Sequence, residues 1–203
     1  MNTQKRICKT SEIPYKGQND AIRLDFFRNL AMLTPKERLR AFLLYRLAPV
    51  VDGAKPAELI TLCPGLFNLY GAWAKEGNEI VTDMGLECRA MKERGDCACI
   101  LAYDRGSLSR YLDPNWGRPI LRDAGYRAFE PGNYLDRLAT RFKDQCPHEI
   151  GLFLGFPYDD VAGFIENDGR NYLINGYWKV YSKPDHARAT FRKYDAARLR
   201  AIA

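Results

Sequence analysis

The chain has 203 residues, enough to bury a sizeable core without disulfide or metal support. A hydrophobic fraction of 46% and a charged fraction of 28% exclude a disordered chain, a collagen and a coiled coil. The net charge of +6 is uneven: residues 1–50 carry +6, residues 51–182 carry −4 and residues 183–203 carry +4, so the basic excess marks the two ends.

Residues 1–24 show no sustained period and read as an N-terminal arm. Residues 25–203 are expected to form a single α/β domain. Thr34-Pro35-Lys36-Glu37 has the form of a capping box with proline at the first helical position. Leu39, Phe42, Leu43 and Leu47 follow at helical spacing, and Pro49 is expected to end the helix. A strand is predicted over 57–62. Next comes a helix carrying Leu66, Leu69, Tyr70 and Trp73 on one face and stopping at Gly77. Leu86–Glu93 and Cys97–Tyr103 flank Arg94-Gly95-Asp96 as a hairpin. The arm CACILAY is apolar on both faces and suits a central strand.

Short helices are expected after Ser107, over 116–124 and after Asn133, the last with Leu135, Leu138 and Phe142 on one face. The apolar run 148–156 (HEIGLFLGF) reads as a buried strand, followed by a helix with Val161, Phe164 and Ile165 on its apolar side. Tyr177–Tyr181 reads as a last strand. Ser182 and Asp185 form a second capping box, opening a basic helix with Ala187, Phe191 and Tyr194 inward. The whole predicts a mixed sheet of four or five strands with helices packed on it, including a possible parallel crossover after residue 148.

No run approaches the ~18 apolar residues of a membrane span, so no membrane partner is expected. The basic start MNTQKRICKT lacks the apolar stretch of a secretory signal. Six cysteines are too few for a disulfide scaffold, and the expectation is free thiols in a cytoplasmic protein.

The segment Cys146–Pro157 (CPHEIGLFLGFP) resembles a bacterial family known as domain of unknown function 3793. Asp160–Asn167 (DVAGFIEN) and Gly176–Tyr181 (GYWKVY) extend the resemblance, and Leu47–Ala57 (LAPVVDGAKPA) is similar to that family's N-terminal signature. The likeness covers about residues 40–195 and implies no established activity. Members often carry His-Cys where this chain has Arg46-Leu47, and cysteine near 173–176, where this chain has none. The resemblance therefore gives no support to a shared thiol chemistry here.

Cys146-Pro147-His148-Glu149 groups a thiol, an imidazole and a carboxylate at a predicted helix-to-strand junction. Cys146, His148 and Glu149 are accordingly the candidate catalytic residues. In an extended segment Cys146 and His148 face one way and Glu149 the other. The preferred explanation is structural, with His148 and Glu149 fixing the junction. Cys97-Ala98-Cys99 lacks zinc-knuckle spacing and reads as small buried hydrophobes, so no metal site is assigned.

Glu166, Asn167 and Asn171 crowd a polar turn near Trp178 and Lys179. Together with Lys55 they are the candidate ligand-binding residues, suited to an anionic or planar ligand. Turn chemistry alone also explains the asparagines. No glycine-rich phosphate loop or hydrolase motif occurs, so the cofactor stays unknown.

Arg188, Arg192, Lys193, Arg198 and Arg200 flank Tyr194 and suit phosphate neutralisation, but a solvated basic face is the commoner outcome. The sequence thus favours an accessory module that binds an unknown small molecule or protein. A small enzyme or redox protein using Cys146 with His148 is the alternative, and nucleic-acid binding through the basic ends is third.

Overall fold

The computed structural model describes residues 20–63, 65, 67–112, 118–126, 131–143 and 145–203. The expected mixed α/β class holds, but the strands form two small sheets rather than one of four or five strands. Helix α1 (Asp20–Leu30) takes up the end of the region expected to be an arm; residues 1–19 lie outside the described residues. Arg38 closes its C-terminus, donating to the Leu30, Ala31 and Leu33 carbonyls and also to that of Phe67.

Helix α2 (Pro35–Val51) opens on the predicted capping box. The Glu37 amide donates to Thr34 Oγ1, and the Thr34 amide donates back to the Glu37 carboxylate. Pro49 does not end this helix; it sits in the last turn, where one lost amide bond is tolerated, and the chain turns at Gly53 with φ +69°.

Strand β1 (Ala57–Leu62) then enters a sheet ordered β1-β3-β2, all antiparallel. Helix α3 (Leu69–Asp83) runs through Gly77 rather than stopping there, and Leu66 lies outside the described residues. Gly77 is a packing position: a Cβ there would meet the Trp73 ring at 2.3 Å. The helix stops instead at Gly85, φ +74°.

Strands β2 (Glu87–Arg94) and β3 (Cys97–Tyr103) form the predicted hairpin, with a bulge at Met91. β3 is central, as its two apolar faces required. Leu101 and Tyr103 face α4 (Arg105–Tyr111), α6 (Pro131–Phe142) and α7 (Ile150–Phe153), whereas Ala98, Ile100 and Ala102 face α2 and α3. Helix α4 is capped by Asp104, which accepts from the Ser107 amide, rather than by Ser107 itself. Helix α5 (Arg118–Asp123) falls within the predicted 116–124, of which residues 116–117 lie outside the described residues, and Asn133 lies inside α6 rather than capping it.

The β1–β3 register overturns the expectation that Cys97 is a free, buried thiol. Leu62 pairs with Ala98, so the next residue outward, Cys63, faces Cys97 at a Cα separation of 4.2 Å, and the two form a disulfide. The sequence reading had both strands but not their pairing, and only the pairing brings the two cysteines together.

The largest correction falls at 148–156. The expected strand is a helical turn, α7, with Ile150, Gly151, Leu152 and Phe153 all buried. A continuous apolar run does not distinguish a buried strand from a buried helical turn. Gly151 allows the close packing, since a Cβ there would meet Val161 at 2.8 Å, and Gly155 ends the turn at φ +78°. With no strand here, the parallel crossover goes too.

Helix α8 (Tyr158–Glu166) ends at Asp168-Gly169, as predicted. Its Val161 is buried, but Ile165 is exposed. The strand expected at 177–181 is only β5 (Lys179–Val180), paired with β4 (Ile174–Asn175). Helix α9 (Pro184–Arg200) packs against α2, with Ala187, Phe191 and Tyr194 inward. It starts after Lys183 in a left-handed conformation, not on a capping box: Ser182 instead donates its amide and hydroxyl to Asp160.

Candidate functional site

Charge enters the interior on the α2 side of β1. Ala57 and Leu59 point to one face of the sheet, so strand alternation turns Glu58 to the other, where it is 4% exposed. Lys55, in the turn before β1, donates to Glu58 Oε2 at 2.5 Å and is equally buried. Arg46 of α2 and Arg198 of α9 both donate to Glu58 Oε1, at 2.8 and 3.2 Å. Three cations therefore share one buried carboxylate.

A second pair lies beside the first. Arg23 of α1 donates to Asp195 of α9 at 2.7 Å, and Tyr177 adds its hydroxyl to the same carboxylate oxygen at 2.9 Å. Arg198 links the pairs by donating to the Tyr177 hydroxyl at 3.3 Å. Its guanidinium lies 5.6 Å from the Tyr45 ring centre and 5.0 Å from that of Tyr177, so the charge is held between aromatic faces.

These groups line a cavity of about 440 Å³, the size range of small-molecule sites. Arg23, Arg46, Lys55 and Arg198 face it with Glu58 and Asp195, and the exposed Asp20 stands on the same lining. Cations exceed carboxylates. Moreover, five buried side-chain polar atoms lack a hydrogen-bond partner among the described residues, and four belong to this lining: Arg23 Nε, Arg46 Nε, Arg198 Nε and Thr61 Oγ1. Buried donors are normally satisfied, so unpartnered atoms concentrated on the residues of one lining require a physical cause.

Burial pushes the Glu58 carboxyl up, but Lys55, Arg46 and Arg198 pull it further down, to about 2. Burial lowers the Lys55 ammonium by more than Glu58 raises it. A carboxylate depressed in the folded state stabilises the fold above its unfolded value, near 4.5, and loses that contribution as pH falls towards 2. Acid unfolding followed by circular dichroism is expected to show this loss between pH 4.5 and about 2. A Glu58→Gln variant should lack that component, and superimposable acid profiles would contradict the assignment.

The sequence-predicted residues divide between this cavity and its neighbour. Lys55 belongs to the cationic cavity. Cys146, His148, Trp178 and Lys179 line a second one of about 370 Å³. Glu149 is elsewhere: it is buried, accepts from Tyr126 at 3.3 Å and is ion-paired with Arg141. That pairing comes from the helical turn, which replaces the extended geometry expected for Cys146–Glu149.

His148 is exposed and packs 5.1 Å from the Phe164 ring. Asn167 and Asn171 close their own turn, Asn167 donating to the Gly163 carbonyl and Asn171 to the Asn167 side chain. Glu166 is exposed and lies on neither lining. Among the described residues no three His, Cys, Asp or Glu side chains are grouped to hold a metal ion. No helix there is long and apolar enough to cross a membrane.

Sequence reasoning missed Arg23, Arg46, Glu58 and Asp195, and placed Arg198 on a solvated basic face. Two signals were present. Glu58 interrupts the apolar strand AELITL, and Arg198 continues the inward spacing of Ala187, Phe191 and Tyr194. The other basic residues of α9 remain outside: Arg188 pairs with Asp185, and Arg200 with Asp52.

No curated protein and no solved structure matches the chain. A family model described as a protein of unknown function, DUF3793, matches residues 43–203. That stretch takes in Arg46, Lys55, Glu58, Asp195 and Arg198, while Arg23 and α1 precede it. With most of its length inside the match, the chain belongs to the DUF3793 family of proteins of unknown function.

Proposed function

We propose that the protein is a binding module for a small organic anion, seated in the cavity between α1, α2, β1 and α9. The observation that carries this reading is the set of unpartnered buried donors on Arg23, Arg46, Arg198 and Thr61, all on one lining. An ion cluster that served folding alone would spend its donors on its own carboxylates. Here three guanidinium groups keep Nε–H bonds in reserve around a surplus of positive charge. An anionic oxygen supplies the acceptors and the compensating charge together, and charge-assisted hydrogen bonds of this kind are the strong ones. The aromatic walls from Phe27, Phe42, Tyr45 and Tyr177 suit the carbon part of such a ligand.

Binding is preferred to catalysis because Glu149, grouped with Cys146 and His148 as a candidate catalytic residue, is held by Arg141 and Tyr126.

Thermal unfolding in inorganic phosphate against chloride, at matched ionic strength, tests the reading. At ten times Kd a bound anion stabilises by about 1.4 kcal/mol, a rise in Tm of roughly 3–6 °C for a chain of this size. The double variant Arg23→Met, Arg46→Met should keep only the general salting effect of phosphate. Equal phosphate responses in the wild type and the double variant would overturn the proposal.

A further inference from the structure

We infer that the anion bound in the cationic cavity carries an aliphatic body, which lies in the adjoining groove beneath Phe164 and Trp178; this rests on the anion-binding reading above. The two cavities are neighbours with a common wall, since Leu59, Leu154, Phe156 and Tyr177 line both. Their chemistry is opposite. The second cavity is walled by Ile150, Val161, Phe164 and Trp178 in addition to the shared residues, and three of its polar side chains, Asp160, Trp178 and Lys179, are already engaged.

Trp178 Nε1 donates to Asp160 Oδ2 at 2.7 Å, and Lys179 Nζ donates to the Gly169 carbonyl at 2.6 Å. The Lys179 ammonium also lies over the Tyr172 and Phe164 rings, at 4.9 and 5.7 Å. None of the unpartnered buried atoms belongs to this second lining, whereas four belong to the first. One cavity therefore calls for an acid and the other for carbon.

Phe156 sits at the joint. Its ring stacks on Trp178 with centroids 4.9 Å apart, and the Lys55 ammonium lies 6.0 Å from the Phe156 ring centre. The same side chain thus borders the cationic cluster and the apolar groove. The ligand class that satisfies both is a medium-chain carboxylic acid, with the carboxylate at Arg23, Arg46 and Arg198 and the chain towards Phe164. Cys146 and His148 line the groove, so they meet the chain rather than the acid.

Calorimetric titration of the full chain with hexanoate, octanoate and decanoate tests this. Each methylene taken into the groove is expected to lower Kd about four-fold, until the groove is filled. Decanol and decylamine, which keep the chain but lack the anion, are expected to bind far more weakly than decanoate. Phe164→Trp should shorten the chain length at which the gain stops while leaving the phosphate response intact. Should that variant fold poorly, Asn175→Trp fills the same groove from an exposed position at the end of β4.

A Kd independent of chain length, with the phosphate response preserved, would overturn this inference and leave the anion site standing. Decanol binding as tightly as decanoate, or decanoate binding undiminished in Arg23→Met, Arg46→Met, would also overturn this inference, whereas equal phosphate responses in the wild type and the double variant would overturn the anion site with it.

Discussion

Glu58→Gln is expected to lower the unfolding free energy by about 3–5 kcal/mol, the cost of removing one partner from a buried ion cluster. The glutamine keeps the shape of the side chain and one acceptor oxygen but withdraws the negative charge. Lys55, Arg46 and Arg198 would then face one another with no carboxylate between them. The guanidinium groups do not give up their protons, so Lys55 is the charge that is surrendered. A Lys55→Met change in the Glu58→Gln background should therefore recover part of the loss, a coupling that a double-mutant cycle reads directly. Urea unfolding with an unchanged m-value measures both effects. A Glu58→Gln loss under about 1 kcal/mol would show that the cluster behaves as a solvated surface pair.

Asp160→Ala is expected to cost at least about 3 kcal/mol, through a buried carboxylate on the lining of the neighbouring groove. Asp160 is 2% exposed and accepts four hydrogen bonds: Trp178 Nε1 at 2.7 Å, the Tyr181 and Ser182 amides at 2.8 Å each, and Ser182 Oγ at 3.2 Å. Alanine strands all of these donors while creating a void between α8 and β5. Asp160→Asn, which retains one acceptor oxygen, should lose less. Urea unfolding ranks the two variants. The tryptophan emission of Asp160→Ala should shift to longer wavelength as the Trp178 indole loses its buried acceptor. A loss of equal size in both variants would place the cost in the charge rather than in the stranded donors.

What the sequence revealed depended on how local the cause was. The capping box at Thr34–Glu37 and the Gly95 hairpin turn are set by a few adjacent residues, and both formed as read. The inward face of α9 is set by helical spacing, and it too was legible. The run 148–156 was not, because its apolar pattern fits a buried strand and a buried turn equally well. Close packing at Gly151 and the left-handed Gly155 select the turn, and both depend on Val161 and Pro56.

The site follows the same rule. Lys55 and Glu58 lie three residues apart and could be suspected locally, but Arg198 reaches Glu58 across 140 positions. Its role depends on α9 packing against α2, which no local pattern carries. Arg23 fell in a stretch whose charge and lack of period suggested an arm, yet it forms an ion pair with Asp195. The basic ends thus serve partly as the interior of the cationic cavity: Arg23 comes from the first, Arg198 from the last.

The most direct measurement is anomalous diffraction from crystals grown with selenate, whose heavy atom marks the anion position without assumption. The account predicts a selenate peak within hydrogen-bonding reach of Arg23, Arg46 and Arg198, on the lining that also holds Lys55 and Thr61. Selenate confined to surface lysines, with the three Nε–H groups bonded to ordered water alone, would contradict it.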